Sequence, residues 1–361
     1  MRLQKFRAQL AAKKADAAIV STLINIRYLT GFTGSNALLW VDGKSARLFT
    51  DGRYTLQAKQ QTAGKGISVQ IVKGPLFKAL EKYKDKFKGN AGKGKPVAIE
   101  NQRIGFTLAT EIKKLFKIAK LDNTIEVLRM FKDDAEIAAI RASVELNAKA
   151  LAKAVKTYKP GMTEMALAAR IDYEQRLLGA SGTAFDTIVA SGPHSALPHA
   201  NPRNTEINRN GYLLIDMGAT LTDYKSDLTR TFGVGRPQPK AKAIYDAVLE
   251  AQLAAIDAIK PGVEAQKLHE ITSKTLRKYK MDKLFIHSTG HGLGLEIHEA
   301  PRLGTGDATV LAPGMAITIE PGVYAEGFGG VRIEDTVLVT DTGAEVLTPL
   351  TIAPKHWTIV G

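Results

Sequence analysis

Four carboxylates and one imidazole between residues 216 and 334 are the side chains of this chain best suited to do chemistry. They are Asp216 in LLIDMGA, Asp227 in YKSDLTRTF, His291 in STGHGLGLEIHE, Glu320 in AITIEPGVY and Glu334 in GGVRIEDTVLV. Gathered together they would form a hard, oxygen-rich, negatively charged pocket. Such a donor set suits two Mn²⁺-like ions with a hydroxide between them. The residue types therefore point to a reaction as well as to a fold.

The local sequence around each residue supports the grouping. LLIDMGATLTDYKSDLTRTF reads as two strands around a Gly/Thr/Asp turn. A hairpin centred near Leu221–Thr222 sets Asp216 directly opposite Asp227, on one face of the sheet. Two carboxylates so close repel each other unless a cation lies between them. A pair of exposed acids near a turn is the plainer alternative. It fits poorly here, because Asp216 is enclosed by Leu213, Leu214, Ile215 and Met217. Glu320 and Glu334 make the same argument at the ends of apolar strands, where an unpaired charge is costly. His291 sits among glycines that allow close backbone approach. Alone it would read as a structural histidine, and as the fifth member of this set it reads as a ligand.

Other apparent motifs fail. GNAGKGKP, residues 89–96, nearly spells a phosphate-binding loop, but Pro96 stands where a Ser or Thr would hold Mg²⁺. The glycines of GHGLGLEIH have the wrong spacing for a dinucleotide loop. His287 and His291 are four residues apart, yet no HExxH is present and Gly290 intervenes.

The elements that must position these residues fall into two regions. Residues 1–128 alternate helix and strand: a helix over about 2–14, strands at 17–21, 37–41 and 46–50, and a helix over 75–88. After the Lys/Gly-rich stretch 89–95 come the strand VAIE, a helix near 107–116 and a strand-like piece around 121–127. The pattern predicts a small α/β domain. Residues 129–361 form the second domain. It opens with a capping-box helix start at Asp133 and Glu136, and the helix is expected to run to about Tyr158 and stop at Lys159-Pro160-Gly161. Thr163 should cap a second helix ending near Gly179. KPGMTEMA from Lys159 is echoed by KPGVEAQK from Lys260, with a carboxylate-bearing hairpin after each copy. Two similar halves would face their acid pairs across a central cleft.

Composition narrows the remaining classes. At 361 residues, with 44% hydrophobic and 24% charged residues, two soluble domains are expected. The absence of Cys excludes disulfides, thiolate sites and Cys nucleophiles. No apolar run approaches membrane-spanning length and the N-terminus lacks a signal-like core, so a cytoplasmic location is expected. Residues 1–130 hold 25 Lys and Arg against 9 Asp and Glu, a balance of +16, whereas residues 131–361 hold 25 against 27, or −2. That basic first region has no aromatic interleaving and no binding motif, so it reads as a solvated surface and nucleic acid is not an expected partner.

Taken in order, these segments resemble the pita-bread metallopeptidases, the family of Xaa-Pro aminopeptidases, Xaa-Pro dipeptidases (prolidases) and methionine aminopeptidases. NIRYLTGFTGSNALL and TDGRY resemble the N-terminal domain of the proline-specific members, and FDTIVASGPHSALPHANP, DMGATLTDYKSDLTRTF, HSTGHGLGLEIHEAP, IEPGVY and GGVRIED follow in the family's order. The resemblance implies an α+β fold, with a C-terminal pita-bread domain of pseudo-twofold repeat after a smaller creatinase-like α/β domain. It implies two divalent metal ions, Mn²⁺ first and Co²⁺ or Zn²⁺ otherwise, bridged by Asp227 and Glu334. Asp216 would bind one ion, His291 and Glu320 the other, with Glu320 also acting as acid and base on the bridging hydroxide. His199 and His298 would hold the scissile carbonyl and stabilise the tetrahedral intermediate. His287 would line the substrate pocket, and Tyr324 and Arg332 match supporting positions. No ligand position departs from the family pattern.

The leading expectation is thus an Xaa-Pro aminopeptidase acting on proline-containing peptides as a homodimer. An Xaa-Pro dipeptidase is the near alternative, since it shares every ligand and differs only in whether the cleft admits residues past the proline. A metal-free creatinase-type enzyme and a non-catalytic pita-bread binding module are more remote, because both should have lost ligands that are intact here.

Overall fold

Apolar runs buried on both faces build the sheet of the first unit, Met1–Arg129. Its strands are β1 (Ala17–Val20), β2 (Ala37–Asp42), β3 (Ala46–Thr50), β4 (Ile67–Ile71), β5 (Val97–Ile99) and β6 (Ile118–Lys120), in the order β4-β3-β2-β1-β5-β6. β2 pairs antiparallel with β1 and β3, and the outer pairings are parallel. Every side chain of β1 and β2 is buried, as expected of a sheet covered by helices on both faces. The structure is a computed structural model, and it describes residues 2–88, 96–349 and 359–360. The stretch 89–95, and with it all of the near-match to a phosphate loop but Pro96, lies outside the described residues.

Several elements of this unit differ from the sequence expectation. Helices at Leu23–Thr30 and Thr55–Thr62 were not anticipated. The span 75–88 is a 3₁₀ run, Leu76–Tyr83, followed by a short α-helix, Lys84–Lys88. The piece read as strand-like around 121–127 is in fact the start of a helix, Thr124–Met130. Ile125 and Arg129 are buried four residues apart while Val127 between them is exposed. That is helical spacing, masked in the sequence by the β-branched Thr, Ile and Val.

Among the described residues of the second unit, Met130–Gly361, four helices pack against mainly antiparallel strands. Asp133 accepts from the backbone of Glu136 and the Glu136 side chain accepts from the backbone of Asp133, a complete capping box for the helix Asp134–Val155. That helix ends three residues before Tyr158. The last amides tighten into i→i+3 bonds, Thr157 to Ala154 and Tyr158 to Val155, ahead of a Pro that disfavours helix in the residue before it. Thr163 caps the helix Glu164–Leu177 by accepting from the Ala166 amide.

The internal repeat is visible in the backbone. Gly161 and Gly262 hold the same left-handed turn at φ 94° and 90°. Each is followed by a helix of 14 residues, Glu164–Leu177 and Ala265–Lys278. Each helix start is tied by an isolated bridge, Thr163 to Glu206 and Glu264 to Val310. Separate cores lie behind the two halves, one under Gly211–Met217 and one under Ala316–Ile319 and Asp335–Val339. Among the described residues no helix is long and apolar enough to cross a membrane.

Candidate metal centre and active site

The first carboxylate hairpin pairs Gly211–Met217 with Leu228–Val234. Its register corrects the sequence expectation. Asp216 faces Thr229, and the tip pairs Leu221 with Tyr224, so the turn is centred on Thr222–Asp223 rather than Leu221–Thr222. Both turn residues have positive φ, 45° and 75°, as a two-residue hairpin turn demands. Asp227 is therefore a diagonal neighbour of Asp216 on the same face, not its direct partner.

The second hairpin has the register expected of a facing pair. Ile319 pairs with Asp335 and Gly322 with Arg332, so Glu320 and Glu334 oppose each other where one two-stranded segment gives way to the next. The Glu320 amide donates to Thr289 O (2.8 Å), in the loop before His291, and the Glu334 amide to Thr229 O (3.1 Å), in the strand of the first hairpin. Thr229, the partner of Asp216, also donates its hydroxyl to Glu334 Oε2 at 2.7 Å. The two hairpins are thereby joined through one threonine.

His291 completes the group. Its Nδ1 is 3.0 Å from Gly292 O, which assigns the proton to Nδ1 and leaves the Nε2 lone pair open. Nε2 lies 3.5 Å from both Asp227 Oδ2 and Glu320 Oε1. Glycine is required beside it: a Cβ on Gly290 would meet Thr318 O at 1.9 Å. Donor atoms of Asp227, His291 and Glu334 all lie within 4.8 Å of one another. Two buried oxygens of this group, Asp216 Oδ1 and Glu334 Oε1, have no hydrogen-bond partner among the described residues. Orphaned acceptors among crowded acids are what a divalent cation would satisfy, so the side chains present fit a metal site.

The electrostatics agree. Burial raises Asp227 well above the usual carboxylate range, with the charges of Glu334, Asp216 and Glu320 adding to it. Burial likewise raises Glu334, reinforced by Glu320 and Asp216. Glu320 is pushed by burial up to about 7, the Arg332 guanidinium opposing and Asp216 adding. Burial also holds His291 below the ordinary imidazole range, so its ring is neutral as a ligand must be. Arg332 donates to Asp216 Oδ2 (2.6 Å), to the Tyr324 hydroxyl (2.6 Å) and to Pro198 O (3.2 Å). The Tyr324 hydroxyl also meets His287 Nε2 at 2.9 Å. Burial, with Arg332 adding, lowers His287 to about 4.

All five acid and imidazole residues line one cavity of about 560 Å³, together with His199, His287, His298 and Arg332. The His298 ring stands edge-on to His291, centroids 4.4 Å apart. Tyr324 is not on the cavity wall; it is buried behind His287 and Arg332. Three charged wall residues escaped the sequence reading, Asp186, Glu299 and Arg302, and Glu299 is paired with Lys132. The side chains of Asp186 and Arg302 make no hydrogen bond or ion pair among the described residues, and the Arg302 charge helps to lower Asp307 and His269. Each lies within or next to a quoted motif, FDTIV and HEAPR, but single charges in loops carry no signal of their own.

Comparison with known proteins places this geometry. The pattern of metallopeptidase family M24 matches residues 138–341, and that of the creatinase/prolidase N-terminal domain matches residues 2–131. The chain belongs to metallopeptidase family M24. It is 38% identical over 349 residues to an Xaa-Pro dipeptidase of Pyrococcus furiosus, covering 96% of this chain and 97% of the relative. A solved Xaa-Pro dipeptidase from Bacillus anthracis superposes with a TM-score of 0.93 at 33% identity, over 99% of both chains. An X-Pro aminopeptidase from Thermotoga maritima superposes at 0.89 with 35% identity, over the whole of both chains. This M24 chain has the α+β pita-bread architecture preceded by a creatinase-type domain, as its motifs implied. Membership also makes divalent metal ions part of its chemistry.

Proposed function

We propose that the chain is an Xaa-Pro dipeptidase, hydrolysing dipeptides whose second residue is proline. The aminopeptidase reading that the sequence placed first gives way because dipeptidases recur among the relatives and because of Arg302. A guanidinium on the wall of the cavity, with no ion pair among the described residues, offers a free carboxylate a charge-assisted, two-pronged partner. A dipeptide carries that carboxylate next to the scissile bond, whereas a longer peptide carries it residues away. The aminopeptidase remains the second reading, supported by the Thermotoga neighbour.

Asp216, Asp227, His291, Glu320 and Glu334 would hold two divalent ions, Mn²⁺ first and Co²⁺ or Zn²⁺ otherwise. Such ions polarise a carbonyl and lower the pKa of a water they share. Glu320, lifted to about 7, is poised to take a proton from the attacking water and return it to the proline nitrogen. His199 and His298, on the same wall, would donate to the oxygen that gains charge. Arg332 holds Asp216 in place, and His287, neutral at physiological pH, is held by Tyr324 beside the pocket. A second copy of the chain is the expected partner, and sedimentation at twice 39.0 kDa would support it.

The test is Arg302→Met against an Xaa-Pro dipeptide and its C-terminal amide. Loss of one charged contact should raise KM for the dipeptide by about 10- to 100-fold. The amide should be equally poor for wild type and variant, while metal content stays unchanged. A variant that still prefers the free acid as strongly as wild type would contradict the assignment.

A further inference from the structure

The second unit holds a buried ion pair that the proposed chemistry does not use. Lys132 Nζ lies 3.2 Å from Glu299 Oε2, with side chains only 1% and 5% exposed. Burying two charges is a poor way to gain stability, since an apolar pair of like volume would serve as well. The pair sits where position matters. Glu299 lines the cavity and directly follows His298. Its Oε1 accepts from the Glu296 amide at 3.1 Å, and a Cβ on Gly294 would come within 2.9 Å of both its oxygens. The backbone from Gly294 to Glu299 is thus wrapped around one carboxylate, with His298 on the wrap.

Lys132 is itself held on a rigid element. Its amide donates to Gly314 O at 2.9 Å, and the next residue is Asp133, the cap of the long helix. The same helix start reaches the first hairpin. Glu136 Oε1 accepts from the Tyr224 hydroxyl at 2.9 Å, and the adjoining Lys225 amide donates to Gly294 O at 2.8 Å. Residues 132–136 therefore touch both the tip of the hairpin bearing Asp216 and Asp227 and the loop bearing His298.

We infer that Lys132, acting through Glu299, is a positioning residue that fixes His298 against the cavity in register with the first hairpin. The inference rests on the reading in which His298 faces the substrate. A misplacement of about 1 Å at such a group costs roughly 100-fold in rate.

The test compares Lys132→Met, Lys132→Arg and the charge-free pair Lys132→Met/Glu299→Gln, with Mn²⁺ present and well below each melting temperature. Lys132→Met should lower kcat at least about tenfold with KM changed less than about threefold. Lys132→Arg should recover most of the rate. The charge-free pair should regain melting temperature but not kcat. Amide exchange over residues 293–300 should quicken in both Met variants with metal content unchanged. This last readout needs no substrate, so it decides the tether even if no Xaa-Pro peptide is cleaved. Unchanged exchange in Lys132→Met would overturn the inference, as would a kcat that returns with stability in the charge-free pair.

Discussion

The two carboxylate hairpins occupy equivalent places in the two halves of the repeat, yet they present their acids differently. Glu320 and Glu334 oppose each other directly at a break in their strands. Asp216 and Asp227 sit on a diagonal, with Thr229 opposite Asp216 and bonded to Glu334. The second hairpin is further joined to the first by Arg332, whose guanidinium grips Asp216. The difference shows that the repeat preserves which face the acids share, not their pairing. A shift of two residues keeps every side chain on its face, whereas a shift of one would turn Asp227 out of the site.

Removing an acid that both hairpins surround should have the largest effect. Asp227→Ala should cut kcat by about a thousandfold or more, as loss of several kcal/mol of charge stabilisation requires, and should lower bound metal in parallel. Elemental analysis and steady-state rates check this, and wild-type turnover with wild-type metal content would contradict the shared-site account.

A smaller effect should follow pH in the metal-free protein. Asp227, Glu334 and Glu320 are raised by burial and mutual repulsion, so the folded chain keeps protons that the unfolded chain releases near pH 4. Their contribution to stability is fully present below that pH and declines as pH rises through the raised folded-state values, Glu320 ionising at about 7. Melting curves of chelated protein should therefore fall across that window, and added Mn²⁺ should flatten the slope. A chelated protein with no such decline would mean that the acids do not crowd one another.

The smallest effect belongs to the turn. Thr222 and Asp223 hold positive φ values that favour Asn and Gly. Replacing them by Asn-Gly should stabilise the protein by about 1 kcal/mol without altering kcat. A rise in the denaturant midpoint at constant rate would support the observed register, and a loss of activity would argue that the hairpin tip takes part in the site.

That turn marks where the sequence stopped being readable. The four candidate acids are legible because charged residues enclosed by Leu, Ile and Val runs need a partner, whereas His291, set among glycines, is legible only as the fifth member of that set. The register was not, because Gly218 looks like part of the turn. In the fold it serves close packing instead, since a Cβ there would meet Phe185 and Ser226 O at 2.6 Å. The long helix start was legible from its reciprocal capping pair, whereas the helix Thr124–Met130 was hidden by β-branched residues whose burial only the tertiary packing decides. Arg302 and Lys132 left no trace in the sequence. Their roles depend on which wall they stand on, and single Lys or Arg residues are ordinary in a chain with 50 of them.

The most direct test of the central claim is the rate of Mn²⁺-loaded protein on an Xaa-Pro dipeptide and on an Xaa-Pro-Xaa tripeptide, each with a chelated control. The account predicts cleavage of the dipeptide, cleavage of the tripeptide slower by about 100-fold or more for want of the Arg302 contact, and loss of both on chelation. Tripeptide cleavage at an equal rate would make the enzyme an aminopeptidase, and cleavage of neither would contradict the assignment to proline-specific hydrolysis.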